Sequence, residues 1–405
     1  MSSEVVVSLD LTKVTAQVGG MVAKLKASGE ERQQRLQHAL EVATDETINI
    51  DDLKKKIAAS KTTWLVAGLV DKFNQHYKAP SCPQEFTVIA TDGSHIDVDR
   101  HKSTRCYLLN IGSAVLHYGA LPDATLDSFP YLYSDDEDLV ITPTQFKGRE
   151  QPVEGTLLGI KRAVEECRQL AQLAVNRPQD SPCLTLLDGS LILWGLEAYP
   201  GFVTEALLDK GFLIYLDDIR KLNNDKRLAL ASYISFPRST DVVNALRLVM
   251  CPQEIVDVDR HCSVCETRDC DAVAGVRDQD LFLNLLGQGE RSALFFSQSS
   301  ILKKRYGIHQ VYFCYLKVYD EVARIEIPQW VALDESLLNL VQTLVLDQCR
   351  RGQGYPVALS EAHEQAVVTG ADRKYFWQLV ESSLIEKRMP SLSSVKSQSK
   401  RTRWV

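Results

Sequence analysis

The 405-residue sequence predicts an α/β protein whose mixed sheet is flanked by helices. Three observations carry that expectation. A short β-prone run, Phe86-Thr-Val-Ile-Ala-Thr91, leads into Asp92-Gly-Ser. Residues 153–175 set Leu157, Ile160, Val164, Cys167, Ala171 and Ala174 at the spacing of an amphipathic helix. A second apolar run, Leu184-Thr-Leu-Leu187, leads into another Asp-Gly-Ser at Asp188. A strand, a crossover helix and a second strand return the chain parallel to its start, with the right-handed connection strongly preferred.

Residues 1–80 are rich in Lys, Glu and Gln and predict a helical N-terminal arm. Val14, Val18, Met21 and Leu25 are helically spaced in one stretch, and Leu53, Ile57, Trp64, Leu65 and Leu69 in another. Gly19 and Gly20 interrupt the first stretch, and Ala79-Pro-Ser-Cys-Pro83 punctuates the end of the arm. A domain over 81–385 follows. In it, Arg105 to Tyr118 is long enough for two strands or one bent one, and the acidic run Ser134–Asp138 reads as a solvated loop. Further strands are expected over 229–235, 292–297, 310–318 and 322–327, and helices over 202–210, 238–249, 335–350 and 373–382. Residues 386–405, rich in Ser, Lys and Arg, predict a disordered basic C-terminal tail.

Hydrophobic residues make up 45% of the chain and charged ones 24%, which is ordinary for a globular protein. No apolar run approaches the roughly 18 residues that span a bilayer. The start, Met-Ser-Ser-Glu-Val-Val-Val, lacks a basic n-region and a cleavage site. Together these predict a cytoplasmic protein with no membrane association. Cys82, Cys106, Cys167, Cys183, Cys314 and Cys349, mostly among apolar neighbours, read as small buried hydrophobes. The formal net charge of −7 speaks to solubility rather than fold. It does not exclude a nucleic-acid substrate, because an enzyme that holds metal with carboxylates is acidic at its centre and needs basic charge only along its channel.

If the two Asp-Gly-Ser strands are neighbours, Asp92 and Asp188 sit side by side at their carboxyl ends, where open α/β sheets collect ligands. Adjacent carboxylates repel, and a hard divalent cation such as Mg²⁺ or Mn²⁺ relieves the repulsion. The Gly after each Asp would let the chain turn sharply, and the Ser would cap the next segment or meet a phosphate oxygen. Asp-Gly alone is a common turn, but two copies flanking one amphipathic helix are a stronger signal. That helix should supply a third carboxylate from Glu154, Glu165 or Glu166. Glu165 and Glu166 point about 100° apart, so they cannot both face the site. Glu166, one turn from Ala163 and Leu170 beside the apolar stripe, is favoured; Glu165, four residues after Lys161, fits a surface pair.

Val88-Ile-Ala-Thr-Asp-Gly-Ser-His95, Arg162-Ala-Val-Glu-Glu-Cys-Arg-Gln-Leu-Ala171 and Leu186-Leu-Asp-Gly-Ser-Leu-Ile192 together resemble the NurA nuclease family. Gly289-Glu-Arg-Ser-Ala293, Ala323-Arg-Ile-Glu-Ile-Pro328 and Gly354-Tyr-Pro-Val-Ala-Leu-Ser-Glu-Ala-His-Glu364 continue the likeness, which covers residues 85–375. The resemblance implies an RNase H-like fold and a Mn²⁺- or Mg²⁺-dependent DNA nuclease. It implies 5′-to-3′ exonuclease action, with endonuclease action on single strands, in end resection during double-strand break repair. It also implies a homodimer acting with a HerA-type hexameric ATPase that translocates DNA. Asp92 matches the first acidic ligand, Asp188 the second and Glu166 the helix glutamate, while His363 resembles a histidine near the site in some members. The sequence departs from the family in the doubled Glu165-Glu166 and the long Asn176–Pro182 connection. In this reading two cations on Asp92, Glu166 and Asp188 bind the scissile phosphate, and His363 binds metal or shuttles a proton.

Cys251, Cys262, Cys265 and Cys270, with His261, fall close together and offer tetrahedral Zn²⁺ ligands. The outer two cysteines stand alone, so a reduced loop or a redox-labile cluster stays open beside zinc. Arg291-Ser292 and Ser297 to Arg305 form a Ser/basic segment suited to phosphate contact or to a solvated face. No P-loop pattern occurs, so ATP hydrolysis would belong to a partner. Two other functions compete with the nuclease: a catalytically inactive DNA-binding or scaffold subunit on a ring ATPase, and a metal-dependent RNase H-like enzyme acting on RNA.

Overall fold

The computed structural model describes residues 9–389 apart from 100, 101, 103, 144–147, 179 and 224–226. The chain forms two compact units, Met1–Asn74 with Arg238–Leu285, and Gln75–Pro237 with Leu286–Val405. These boundaries differ from the 1–80, 81–385 and 386–405 division expected from sequence. The N-terminal helices do not make a separate arm, because residues 238–285 complete them. The basic tail lies, from residue 390 onward, outside the described residues.

In the first unit, helices Leu11–Ala27, Gly29–Ala43 and Ile50–Ala59 match the helical expectation, although Trp64, Leu65 and Leu69 fall beyond the last of them. The later segment is tied back to this region through its backbone. Arg35 Nη1 donates to the Ala274 carbonyl at 2.7 Å, Lys56 Nζ to Cys251 O at 2.6 Å, and Ala67 N to Asp241 O at 2.8 Å. Helix Asp241–Met250 starts under the buried Asp278 carboxylate, which accepts the N–H groups of Val242 and Val243 at 3.2 and 2.9 Å. Those donors have no partner within the helix, so Asp278 supplies from a distance what an N-cap residue would supply locally.

The second unit is built on strands β1 (Phe86–Ile96), β2 (Tyr107–Tyr118), β3 (Asp123–Tyr133), β4 (Cys183–Asp188), β5 (Leu228–Ile234), β6 (Val311–Val318) and β7 (Glu321–Pro328). They lie in the order β6-β7-β5-β4-β1-β2-β3. β1 pairs with β4 in parallel, as does β4 with β5, while β1–β2, β2–β3, β5–β7 and β6–β7 are antiparallel. A first strand at the centre, a hairpin on one side and two parallel strands on the other is the RNase H-like arrangement the resemblance implied. Four helices matter to the site: α1 (Thr156–Val175), α2 (Glu335–Arg351), α3 (Val357–Ala366) and α4 (Gly370–Glu386).

Covered on both faces, β4 and β5 read as nearly unbroken apolar runs. Leu184, Leu186, Leu228 and Leu230 are fully buried, and each such side chain stabilises the fold by about 1.5–3 kcal/mol. This fixes the middle of the sheet, from which Asp188 emerges. Residues 107–118 form one strand rather than two, and the antiparallel partner is the unanticipated β3. β3 is an exposed edge strand carrying Asp123, Asp127 and Pro130, so it lacks the apolar alternation that marks half-buried strands. The acidic run expected as a loop instead holds the short helix Asp136–Leu139, anchored by buried Leu139. Among the described residues no helix is long and apolar enough to cross a membrane.

Candidate active site

Parallel pairing of β1 with β4 runs from Thr87↔Cys183 to Thr91↔Leu187. The next residues on the two strands are Asp92 and Asp188, side by side at about the 4.8 Å strand spacing. Only Asp188 ends its strand. β1 continues to Ile96 because its antiparallel pairing with β2 persists, with Asp92 opposite Gly112 and Ile96 opposite Leu108. The expected sharp turn therefore occurs after Asp188, at Gly189 with φ 86°, and not at Gly93.

Gly93 has a different use. A Cβ there would lie 2.6 Å from Glu166 Oε1 and 2.9 Å from Arg162 Cγ. Neighbouring residues of a strand face opposite sides, so Thr91 and Gly93 face α1 while Asp92 and Ser94 face α3. Thr91 Oγ1 donates to the Glu166 carbonyl at 3.0 Å and pins α1 to the strand. The bare Gly93 then lets the Glu166 side chain pass over the strand toward the two aspartates.

The resulting electrostatics are those of crowded carboxylates. Glu166 is buried, and its carboxyl is pushed up to about 7 by that burial and by the charges of Asp92 and Asp188, against the pull of Arg162. Asp188 is also raised, first by burial and next by Asp92, while hydrogen bonds from Tyr355 and the Gly189 N–H hold it down. Arg162 Nε stands 3.0 Å from Glu166 Oε1 but outside hydrogen-bond geometry, which leaves both buried atoms without such a bond among the described residues. Glu165 is buried as well but turned away. It pairs with Lys161 at 2.8 Å, as its spacing predicted, and with Arg168.

His363 joins from α3, with Nδ1 2.6 Å from Asp92 Oδ2. The helix reaches the sheet because Gly112, opposite Asp92, has no side chain. A Cβ at 112 would come 2.1 Å from Ala362 O and 2.4 Å from Ala366 N. Asn110 Nδ2 donates to the carbonyls of Gln365 and Ala366 at 3.1 and 3.0 Å, and Ser94 Oγ also donates to Ala366, so the strands cap the C-terminus of α3.

The donor set fits a hard divalent cation. It is an all-oxygen group of three carboxylates that repel one another, with one buried oxygen lacking a donor. Among the described residues no three His, Cys, Asp or Glu side chains close around one point, so the carboxylates converge without forming a finished cage.

Compared with known families, the chain matches the NurA domain model over residues 86–368, the span that holds Asp92, Glu166, Asp188 and His363. The chain belongs to the NurA family. That family is one of nucleases. No curated protein matches this NurA chain. Solved structures similar to it include Drosophila Piwi, at 11% identity and a TM-score of 0.27 over 71% of this chain and 30% of Piwi. A. aeolicus Argonaute is similar at 11% identity and 0.25, over 70% and 28% of the respective chains. The NurA chain thus spans less than a third of either protein's length, and so loose a likeness says nothing about its chemistry.

Several residues at the NurA site were not singled out from sequence. The Tyr355 hydroxyl donates to Asp188, and its ring meets Tyr233 edge-on at 5.4 Å. Glu326 is buried, pairs with Arg324 Nε at 2.9 Å, and accepts from Ser190 Oγ and Leu191 N, each at 2.9 Å. Ser94 and Ser190 are therefore structural rather than free for phosphate. The phosphate-contact reading also fails for Arg291 and Ser292, which are buried; Arg291 stacks on Tyr77 at 4.1 Å. Cys251, Cys262, Cys265 and Cys270 lie in the other unit.

Proposed function

We propose that this chain is a metal-dependent deoxyribonuclease that hydrolyses phosphodiester bonds at DNA ends in the cytoplasm. The observation that supports it most is the buried Glu166 carboxylate, brought over Gly93 to Asp92 and Asp188 at the cost of mutual repulsion. Structural needs alone do not account for such an arrangement, since three packed apolar side chains would be more stable. Asp92, Glu166 and Asp188 would hold Mn²⁺ or Mg²⁺, which when bound neutralises charge on the scissile phosphate and lowers the pKa of an attacking water.

The chain's own residues do the rest. His363 holds Asp92 through Nδ1, which fixes the carboxylate and leaves Nε2 as the ring atom that takes or gives a proton. Tyr355 orients Asp188 by its hydroxyl. Arg162 sets a positive charge beside Glu166, where a phosphate would otherwise meet only negative charge. The 5′-to-3′ exonuclease direction, single-strand endonuclease action, role in double-strand break repair, homodimer and HerA-type ATPase partner belong to the same proposal and rest on family membership.

The test is incubation of purified protein with end-labelled single- and double-stranded DNA in Mn²⁺, Mg²⁺ or EDTA. Degradation is expected with Mn²⁺ or Mg²⁺, not with EDTA, and not in Asp92→Ala. Activity unchanged in both Asp92→Ala and Asp188→Ala overturns the proposal.

A further inference from the structure

The nuclease site uses none of the four cysteines between residues 251 and 270. Cys251, Cys262, Cys265 and Cys270 are all free thiols of intermediate exposure, and all four line one cavity of about 230 Å³ within the first unit. Cys251 caps the C-terminus of helix Asp241–Met250, so one thiol stands on a rigid element. The backbone there is held by Lys56 Nζ on Cys251 O, and the cavity wall by Arg247 stacked on Trp64 at 4.2 Å. The other three thiols ride on a segment with little regular structure. It contains only the short helix Val258–His261 and the 3₁₀ turns Cys262–Val264 and Asp269–Val273. Between Cys251 and Arg277 its buried apolar residues are Val256, Val273 and Val276. So small a core of its own offsets little of the entropy lost in ordering such a segment.

The thiols face a shared cavity rather than packing into the core. Cys262 and Cys265 are separated by two residues in one turn, and with Cys251 and Cys270 they border the same cavity. Arg268, in the left-handed region at φ 49°, turns the chain between Cys265 and Cys270, and Cys265 Sγ lies 3.9 Å from Thr267 Oγ1. His261 is otherwise engaged, its Nδ1 accepting from Asp257 N at 3.3 Å. Among the described residues the thiols line the wall without closing on one point.

We propose that Cys251, Cys262, Cys265 and Cys270 bind one structural Zn²⁺ as a tetrathiolate, with the metal ordering the 251–277 segment. Zinc suits the set because four thiolates fill its tetrahedral shell and leave no open position for chemistry.

The test uses the full chain purified without chelator. Elemental analysis should find about one zinc per chain, with Cys262→Ser and Cys265→Ser losing it and Cys82→Ser retaining it. That comparison separates the thiol site from ions adsorbed at the carboxylates. Protein produced with Co²⁺ should show thiolate-to-cobalt charge transfer and intense tetrahedral d–d bands, a readout that survives even if the serine variants fail to fold. Zinc retained in both variants, a cobalt spectrum without thiolate bands, iron with broad visible absorption, or a disulfide among the four in freshly purified protein each overturns the proposal.

Discussion

Replacing Glu166 with Gln should stabilise the metal-free protein while removing its nuclease activity. The Glu166 carboxyl stands at about 7 in the folded chain against an ordinary 4.5. A carboxyl raised by folding contributes no penalty below its unfolded value and an increasing one as pH rises through the folded value. At about 1.4 kcal/mol per pKa unit, the full penalty above neutrality is about 3 kcal/mol. Gln keeps the shape and remains neutral, and Arg162, whose side chain is 34% exposed, can turn to water. In EDTA the variant should therefore gain about 3 kcal/mol at about pH 8, but only about 1 kcal/mol at about pH 5.5. Urea unfolding followed by circular dichroism at the two pH values measures both gains. Added Mn²⁺ should raise the midpoint of the parent protein and leave the variant nearly unmoved. A variant no more stable than its parent at the higher pH, or equally favoured at both, would refute the claim that crowded charge is stored at this site.

Two further substitutions probe what holds the site together. Gly112→Ala drives a methyl group into the backbone of α3, so it should cost about 1–3 kcal/mol and draw His363 away from Asp92. Gly159→Ala, in α1 with nothing within 4 Å of the new Cβ, should instead be neutral or stabilising by up to about 1 kcal/mol; equal urea midpoints for the two would contradict the close-approach argument. Tyr355→Phe removes a hydrogen bond that lowers the Asp188 pKa, so the acidic limb of the pH–activity profile should move to higher pH while stability changes by only about 1 kcal/mol. An unmoved limb would show that the hydroxyl does not act through Asp188.

The parts of the site visible in sequence are those fixed by local pattern. Unbroken apolar runs reveal β1 and β4, a 3.6-residue period reveals α1, and the crossover rule places Asp92 beside Asp188. The doubled glutamate is only half legible locally: adjacent helix positions diverge, but both are buried, and it is the Lys161 and Arg168 pairs that turn Glu165 aside. What stayed hidden depends on partners distant in the chain. Gly93 looks like a turn residue until Glu166 is seen to pass over it. Gly112 is unremarked until α3, some 250 residues later, packs against it. Tyr355 carries no signal of its own because its role is defined by Asp188. Edge strand β3 was missed for the opposite reason, its exposure leaving no apolar record of strand geometry.

The divided first unit has a consequence for the order in which the chain is made. Residues up to Asn74 leave the ribosome long before Leu285, whose segment completes their unit. At typical synthesis speeds the interval is about 10–40 s, far longer than the microseconds in which helices form. The early helices must therefore wait through synthesis of the whole β1–β5 sheet before the residues that Arg35 and Lys56 grip exist at all. A chain shortened before residue 238 would carry those helices without the segment they pack against.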